Sequence, residues 1–323
     1  MNEAEFTALY LKEKPVFEAW GSYISQVIQD HITASGFKID LFLKVPVQPR
    51  LKEVKSLVAK AFYRGKTYKD PYNDITDKVG MRFVVLLVEE IKIIKDIIES
   101  VEEWDCSEDV DFIKIRENSP ELFTYQSVHY IIRNLTDIEY SGVKIPADTP
   151  CEVQIRTLLQ HAYAELTHDR VYKSDKTIAS QVKRKVARSM ALIEATDELF
   201  MEVQYMLNAE DMLFKDFISA SRRFVNTIDY EEKTNRFIFD SYKGFVKENG
   251  IRPEQVVDFV EEKNYLIEKA KSGAEYNLIY KQPILFVLYY LIAKYRNSSK
   301  ELWPLNEKDL VPIYTDLGLS LDA

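Results

Sequence analysis

The sequence predicts an α+β fold, with a mixed β-sheet flanked by helices over residues 1–210 and an all-helical region over 211–323. Three observations lead there. Met81–Val88 is an apolar run of strand length broken only by Arg82, as expected of a central strand covered on both faces. Cys151–Thr157 alternates: at the strand period of two, Glu152, Gln154 and Arg156 share one face and Val153 and Ile155 the other. Beyond residue 178 apolar residues recur only at helical spacing.

In chain order, Leu9, Phe17, Trp20, Ile24, Val27 and Ile28 predict an N-terminal helix that is interrupted, or starts, near Pro15. Phe37, Ile39, Leu41, Leu43 and Val45 alternate with mostly polar neighbours and predict a strand. Arg50–Tyr63 is expected as a helix, Met81–Val88 as a strand and Ile91–Val101 as a helix. Strands follow near Val110–Arg116, Val128–Leu135 and Glu152–Thr157, with a turn at Ser141-Gly142. Leu159, Ala162 and Leu166 place a helix over Leu158–Tyr172. The tail predicts helices over 179–208, 212–228, 235–249, 253–271 and 282–295. No Pro/Gly/Ser-rich linker marks the change of domain. It is placed near residue 210 because the helix after Ser180 can still pack on the sheet.

Composition narrows the class. With 323 residues, 46% apolar and 29% charged, the chain can bury two cores. Its longest apolar run, Ile284–Ala293, falls short of the roughly twenty residues that cross a bilayer and suits a buried helix. The N-terminus lacks the basic-then-apolar pattern of a secretion signal, so a cytoplasmic location is expected. Cys106 and Cys151 are too few for a disulfide framework or a cysteine-built zinc site. The net charge is −9, yet Lys44–Lys69 carries eight basic residues against one acid, Glu53. A compact basic segment in an acidic chain suits a small polyanion such as a nucleoside triphosphate better than a long phosphate backbone. By composition alone it equally describes a solvated helix face.

Four motifs refine that picture. In Arg50-Leu-Lys52-Glu-Val-Lys-Ser56-Leu-Val-Ala-Lys60, the residues Lys52, Ser56 and Lys60 recur at i, i+4 and i+8, close to one helix face. Two ammonium groups and a hydroxyl so placed can hold phosphates without a glycine-rich loop, and no Walker-type P-loop occurs in the chain. Asp77 stands just before the central strand, where a carboxylate suits magnesium, which takes one or two carboxylates plus phosphate oxygens. Tyr125-Gln-Ser127-Val-His129-Tyr130 puts an aromatic and polar groups at a strand entrance. Glu152-Val-Gln154-Ile-Arg156-Thr157 then leads into a helix bearing His161, Glu165 and His168. Singly, Tyr125 fits packing, Arg156 an ion pair, and the His161–Glu165–His168 spacing a helical zinc face. Their joint order points to a site.

Over about residues 35–175 these motifs, in this order, resemble the synthetase domain of the RelA/SpoT family, the alarmone (p)ppGpp synthetases. The resemblance implies a nucleotidyltransferase-like domain that moves pyrophosphate from ATP to the 3′-hydroxyl of GDP or GTP and releases AMP. Mapped by motif, it implies that Arg50 and Arg82 sandwich the adenine of ATP while Lys52, Ser56 and Lys60 hold its phosphates. Asp77 and Glu152 would be the catalytic pair and the Mg2+ ligands. Glu152 would complete the metal site or take the 3′-hydroxyl proton. Tyr125 would stack on the acceptor base, with His129 and Gln154 lining the same cleft. The family's similar helix carries no zinc at the positions of His161, Glu165 and His168.

Thr124 stands where the family has Gly, Glu53-Val54 where it has Ser-Pro, Lys55 where it has an acid, and the loop 117–123 has its own wording. The family's long members carry a hydrolase domain that needs several histidines and a His-Asp pair. Only His31, His129, His161 and His168 occur here, and His168-Asp169 lies inside the synthetase match, so a synthesis-only enzyme is expected. Two alternatives stay open. One is a toxin-type relative, from a toxin–antitoxin or phage-defence system, making adenosine alarmones or pyrophosphorylating the 3′ end of tRNA. The other is a catalytically inactive binding or sensor module. The expected partners are ATP and GDP or GTP, with no membrane. A homo-oligomer and a protein partner on the regulatory helical tail are further candidates.

Overall fold

The computed structural model describes every residue except 66, 119–120, 122, 124–126, 168–178, 226–229 and 322–323. The chain divides into two compact units, Met1–Val203 and Gln204–Ala323.

The first unit is built on the helix α1, Glu3–Ala34, which starts at a capping box between Asn2 and Glu5. Contrary to expectation, Pro15 neither starts nor breaks it. A proline inside a helix costs about 3 kcal/mol. Here the stripe Phe6, Tyr10, Phe17, Trp20, Ile24, Ile28 and Ile32 is fully buried along the whole length, and that burial outweighs the lost hydrogen bond.

Under α1 lies a five-stranded sheet in the order β1-β2-β7-β4-β3: β1 Arg50–Leu51, β2 Val79–Val85, β3 Trp104–Asp111, β4 Val128–Asn134 and β7 Pro150–Thr157. The pair β2–β7 is parallel and the other pairs are antiparallel, so the sheet is mixed as expected. Strands β5, Ile138–Tyr140, and β6, Val143–Ile145, form a separate hairpin. Its turn residues Ser141 and Gly142 both take positive φ, as a two-residue hairpin turn requires.

Register gives each face of the sheet its chemistry. Gly80 pairs with Glu152, Arg82 with Gln154, and Gln154 with His129, so these side chains line one face. Val79, Met81, Phe83, Val85, Val153 and Ile155 line the other, packed into one core with α1 and with the helix α5, Val88–Ser100. The run Met81–Val88 is therefore not a strand buried evenly on both sides. It ends at Val85, Val88 already begins α5, and one face carries Gly80 and Arg82 outward.

Three further expectations are corrected. The segment 37–45 is no strand: α1 ends before Gly36 at φ 89°, a short helix α2 follows over Ile39–Phe42, and Phe37 packs on Phe42. Its alternation was not an inside–outside pattern, since Leu41 is exposed while Phe42 and Leu43 are both buried. Near 110–116 the strand β3 ends at Asp111, whose carboxylate accepts from the Ile113 amide and opens the helix α6, Phe112–Asn118. The basic helix begins late: α3 spans Val54–Phe62, Arg50 joins the sheet edge opposite Gly80, and Lys52 lies in the connection with its amide bonded to the Lys78 carbonyl.

Pro71–Asp74 forms the one-turn helix α4, and β7 runs directly into α7, Leu158–Thr167. Then α8 runs unbroken over Ser180–Arg222, where two helices were expected, because Asn208-Ala-Glu-Asp211 holds no glycine or proline. In the first unit it is tied to the end of β7 by the Thr157 hydroxyl donating to buried Asp197 at 3.0 Å.

The second unit is helical throughout its described residues. After the C-terminal part of α8 come α9 Glu232–Glu248, α10 Pro253–Glu262, α11 Tyr265–Gly273, α12 Ile284–Lys294, α13 Arg296–Glu301 and α14 Leu310–Asp316. The expected 253–271 helix is two, split at Lys263-Asn264. Every residue from Ile284 to Ile292 is buried, making α12 the centre of this unit's core. Of the tail aromatics, Phe239, Tyr242, Tyr289, Tyr290 and Trp303 are buried in that core, Phe245 packs against it, and Phe237 is exposed. Among the described residues no helix is long and apolar enough to cross a membrane.

Candidate active site

The outward face of β1, β2 and β7, with α3 and α7 at its sides, forms a cleft of about 610 Å³ in the first unit. Arg50, Lys52, Ser56, Asp77, Arg82, Glu152 and Gln154 all line it. Lys60 reaches it through Asp77, and His129 lies beside Glu152. Tyr125 and His168 lie outside the described residues.

At the base of the cleft, Asp77 Oδ2 accepts from Lys52 Nζ at 2.5 Å and from Lys60 Nζ at 2.8 Å. Burial alone would raise the Asp77 pKa. The two lysine hydrogen bonds outweigh it and hold the carboxylate below its ordinary range. Asp77 Oδ1 is buried and accepts no hydrogen bond. An acceptor left unspent beside cationic groups is costly in a protein interior, and it marks Asp77 as a group with capacity for another ligand.

Glu152 is displaced the other way. Burial first, and then the nearby Asp77 charge, raise its pKa, against the Gln154 hydrogen bond and the two lysines. Two neighbouring carboxylates biased toward opposite protonation states are the usual signature of divided acid–base labour. The pair also suits a magnesium ion, which needs no more than one or two carboxylates when phosphate oxygens complete its shell. Among the described residues there is no cluster of three or more His, Cys, Asp or Glu side chains able to hold a metal; the helical zinc spacing includes His168, which lies outside them.

The β7 row acts as a relay along its face. Arg156 Nη2 donates to Gln154 Oε1, whose Nε2 donates to Glu152 Oε2 at 2.9 Å. Arg156 is only 1% exposed and clamps Gln154 from within the fold. Gln154 in turn fixes the orientation of Glu152. On the adjacent strand, Gly80 supplies the room: a Cβ there would stand 3.2 Å from the Glu152 carbonyl oxygen and 3.7 Å from Oε2. Gly80→Val is accordingly expected to lower turnover by about 10²-fold through misplacement of Glu152, with a loss of folding stability below about 2 kcal/mol. Steady-state rates and urea unfolding check it; unchanged turnover in a folded variant would remove Gly80 from the site.

His129 Nδ1 lies 3.6 Å from Glu152 Oε1, too far for a hydrogen bond. Burial, and then the Arg156 charge, push its pKa down to about 4. Its folded pKa is thus below the ordinary 6.5, so below pH 6.5 the unfolded chain takes up a proton that the folded chain refuses. Stability is lost as pH falls from 6.5 toward 4. Between pH 7.5 and 5 this single group accounts for about 2 kcal/mol. Denaturant unfolding of His129→Gln should show a correspondingly flatter pH dependence, and an identical pH dependence in the variant would refute the assignment.

Two α7 residues singled out in the sequence only for their zinc-like spacing stand in the cleft wall. Glu165 Oε1 accepts from Arg82 Nη1 at 2.8 Å, and His161 Nδ1 stands 4.0 Å from the same oxygen. Residues 82 and 165 are too far apart in the chain for any local pattern to pair them. Gly80 did have a signal, since glycine inside a strand marks a close approach.

Residues 49–177 match the family described as "Region found in RelA / SpoT proteins". Among curated proteins, the chain is 28% identical over 162 residues to GTP pyrophosphokinase YjbM of Bacillus subtilis (strain 168), an alignment covering 49% of this chain and 71% of that one. It is 24% identical over 163 residues to GTP pyrophosphokinase YwaC of the same organism, covering 48% and 71%. Among solved structures, small alarmone synthetase 1 from Bacillus subtilis bound to its product pppGpp aligns at 18% identity and a TM-score of 0.49, covering 64% of this chain and 99% of that one. A GTP pyrophosphokinase family protein from Streptococcus pneumoniae aligns at 21% identity and 0.49, covering 63% and 93%.

Proposed function

We propose that the cleft transfers pyrophosphate from ATP to the 3′-hydroxyl of GDP or GTP, releasing AMP. The observation that carries this reading is the pairing of Asp77, held ionised by Lys52 and Lys60, with Glu152, whose proton affinity is raised beside it. The curated relatives' names, both GTP pyrophosphokinases, agree with it.

In this reading Lys52, Lys60 and Ser56 hold the triphosphate, while Arg50 and Arg82 flank the adenine from the sheet edge and from β2. Glu165 holds the Arg82 guanidinium in place. Asp77 and Glu152 would bind Mg2+, which supplies charge neutralisation on the phosphate oxygens. The acceptor's 3′-oxygen attacks the β-phosphorus of ATP, the bond from that phosphorus to the α–β bridging oxygen breaks, and AMP departs with that oxygen. Glu152 accepts the 3′-hydroxyl proton. Its raised pKa makes it a better base than an ordinary carboxylate, and the relay through Gln154 and Arg156 keeps it aimed. Such chemistry asks of a protein alignment and charge neutralisation rather than a covalent intermediate.

The test is incubation with labelled ATP and magnesium, offering GDP, GTP, ATP or deacylated tRNA separately. Label on GDP or GTP is expected. Label on tRNA or on an adenosine nucleotide alone would move the chain to a toxin-type activity, and label on none would leave a binding module.

A further inference from the structure

Asp77 presents its two oxygens in different conditions. Oδ2 already holds two ammonium groups, from Lys52 at 2.5 Å and Lys60 at 2.8 Å. Oδ1 is buried without a hydrogen-bond partner. A divalent cation on this carboxylate would share it with two other cations a few ångströms away, in a setting where all three side chains are largely shielded, at 15%, 24% and 28% exposure. At such range like charges repel strongly unless an anion intervenes. The two lysines and the metal are therefore alternative occupants of Asp77.

Ser56 lies one helical turn from Lys60 on α3 and lines the same cleft as Lys52. A triphosphate lying along these three residues draws both ammonium groups toward its own oxygens and brings the negative charge a metal needs. Resting on the ATP reading above, we propose that Lys52 and Lys60 are placeholders for the divalent cation: they neutralise Asp77 until a nucleoside triphosphate takes them over, so that metal and triphosphate enter the site together. The lysines then serve twice, first to keep metal off the carboxylate and afterwards to hold the phosphates. Metal and nucleotide are coupled reciprocally, each raising the affinity for the other by the same factor.

The experiment follows Mn2+ binding by the paramagnetic signal of the free ion at pH 7.5, without nucleotide. The wild-type protein is expected to bind Mn2+ weakly, and Lys52→Met/Lys60→Met about 100-fold more tightly, within the usual range of site coupling. Adding Asp77→Asn to the double variant should abolish that gain. The single variants Lys52→Met and Lys60→Met, each losing a partly exposed side chain, should fall between, and they carry the test if the double variant does not fold. Wild-type binding as tight as that of the lysine variants overturns the proposal. A parallel titration with a non-hydrolysable ATP analogue separates the two levels. Wild-type Mn2+ binding as tight as the variants', together with analogue binding, removes only the placeholder role. An analogue that binds under no metal condition removes the ATP reading and this inference with it.

Discussion

Asp77→Asn is expected to lower turnover by about 10³-fold, equivalent to roughly 4 kcal/mol of transition-state stabilisation, while leaving the protein folded and able to bind ATP. The substitution keeps the shape of the side chain and removes its charge. Lys52 and Lys60 lose the charge of their partner but keep an amide oxygen to donate to, and each retains part of its access to water, so the variant is expected to stay folded. The freed ammonium groups should grip the triphosphate at least as well as before. The KM for ATP is then unchanged or lower while kcat collapses. A rise in KM at unchanged kcat would instead make Asp77 a binding residue and take it out of the transferring machinery.

Glu152→Gln is the second large effect. Loss of a positioned general base costs about 10²- to 10⁴-fold in rate. The folded protein should be no less stable, because Glu152 is a carboxylate whose ionisation the fold opposes. Its pKa is raised in the folded state by burial and by Asp77, so its ionisation penalises folding only above the ordinary carboxylate pKa of 4.5 and is absent below it. Replacing it removes that penalty. Thermal unfolding at pH 7 should match or exceed that of the unmodified protein, and the difference should vanish under acid conditions. A variant that is both inactive and destabilised at pH 7 would mean that Glu152 mainly braces β7.

The parts of the fold legible in the sequence are those where local pattern and tertiary demand agree. Strand β7 is the clearest case, since its strict alternation is the alternation of cleft and core, and Glu152 and Gln154 fall where the pattern puts them. Helix α5 follows for the same reason. Where tertiary burial overrules local preference the pattern misleads. Pro15 sits inside α1 because the stripe from Phe6 to Ile32 is worth more than one backbone hydrogen bond. The alternation over 37–45 arose from a tight turn at Gly36 and a single helical turn.

The site shows the same division. Lys52, Ser56 and Lys60 were expected on one helix face, yet only Ser56 and Lys60 share α3. All three still reach the cleft, because the connection carrying Lys52 is pinned to the Lys78 carbonyl beside Asp77. The pairing of Lys52 and Lys60 with Asp77 is a long-range contact between residues of separately legible motifs. The Arg82–Glu165 pair and the burial of Arg156 depend on register between distant strands and on α7 folding back, which no local spacing encodes.

The most direct measurement is where the label goes when β-labelled ATP is incubated with GDP and magnesium. AMP and a labelled guanosine tetraphosphate are expected in equal amounts with the unmodified protein, and both at least about 100-fold more slowly with Glu152→Gln. Labelled ADP or free phosphate without the tetraphosphate, or equal rates from the two proteins, would contradict the proposed transfer.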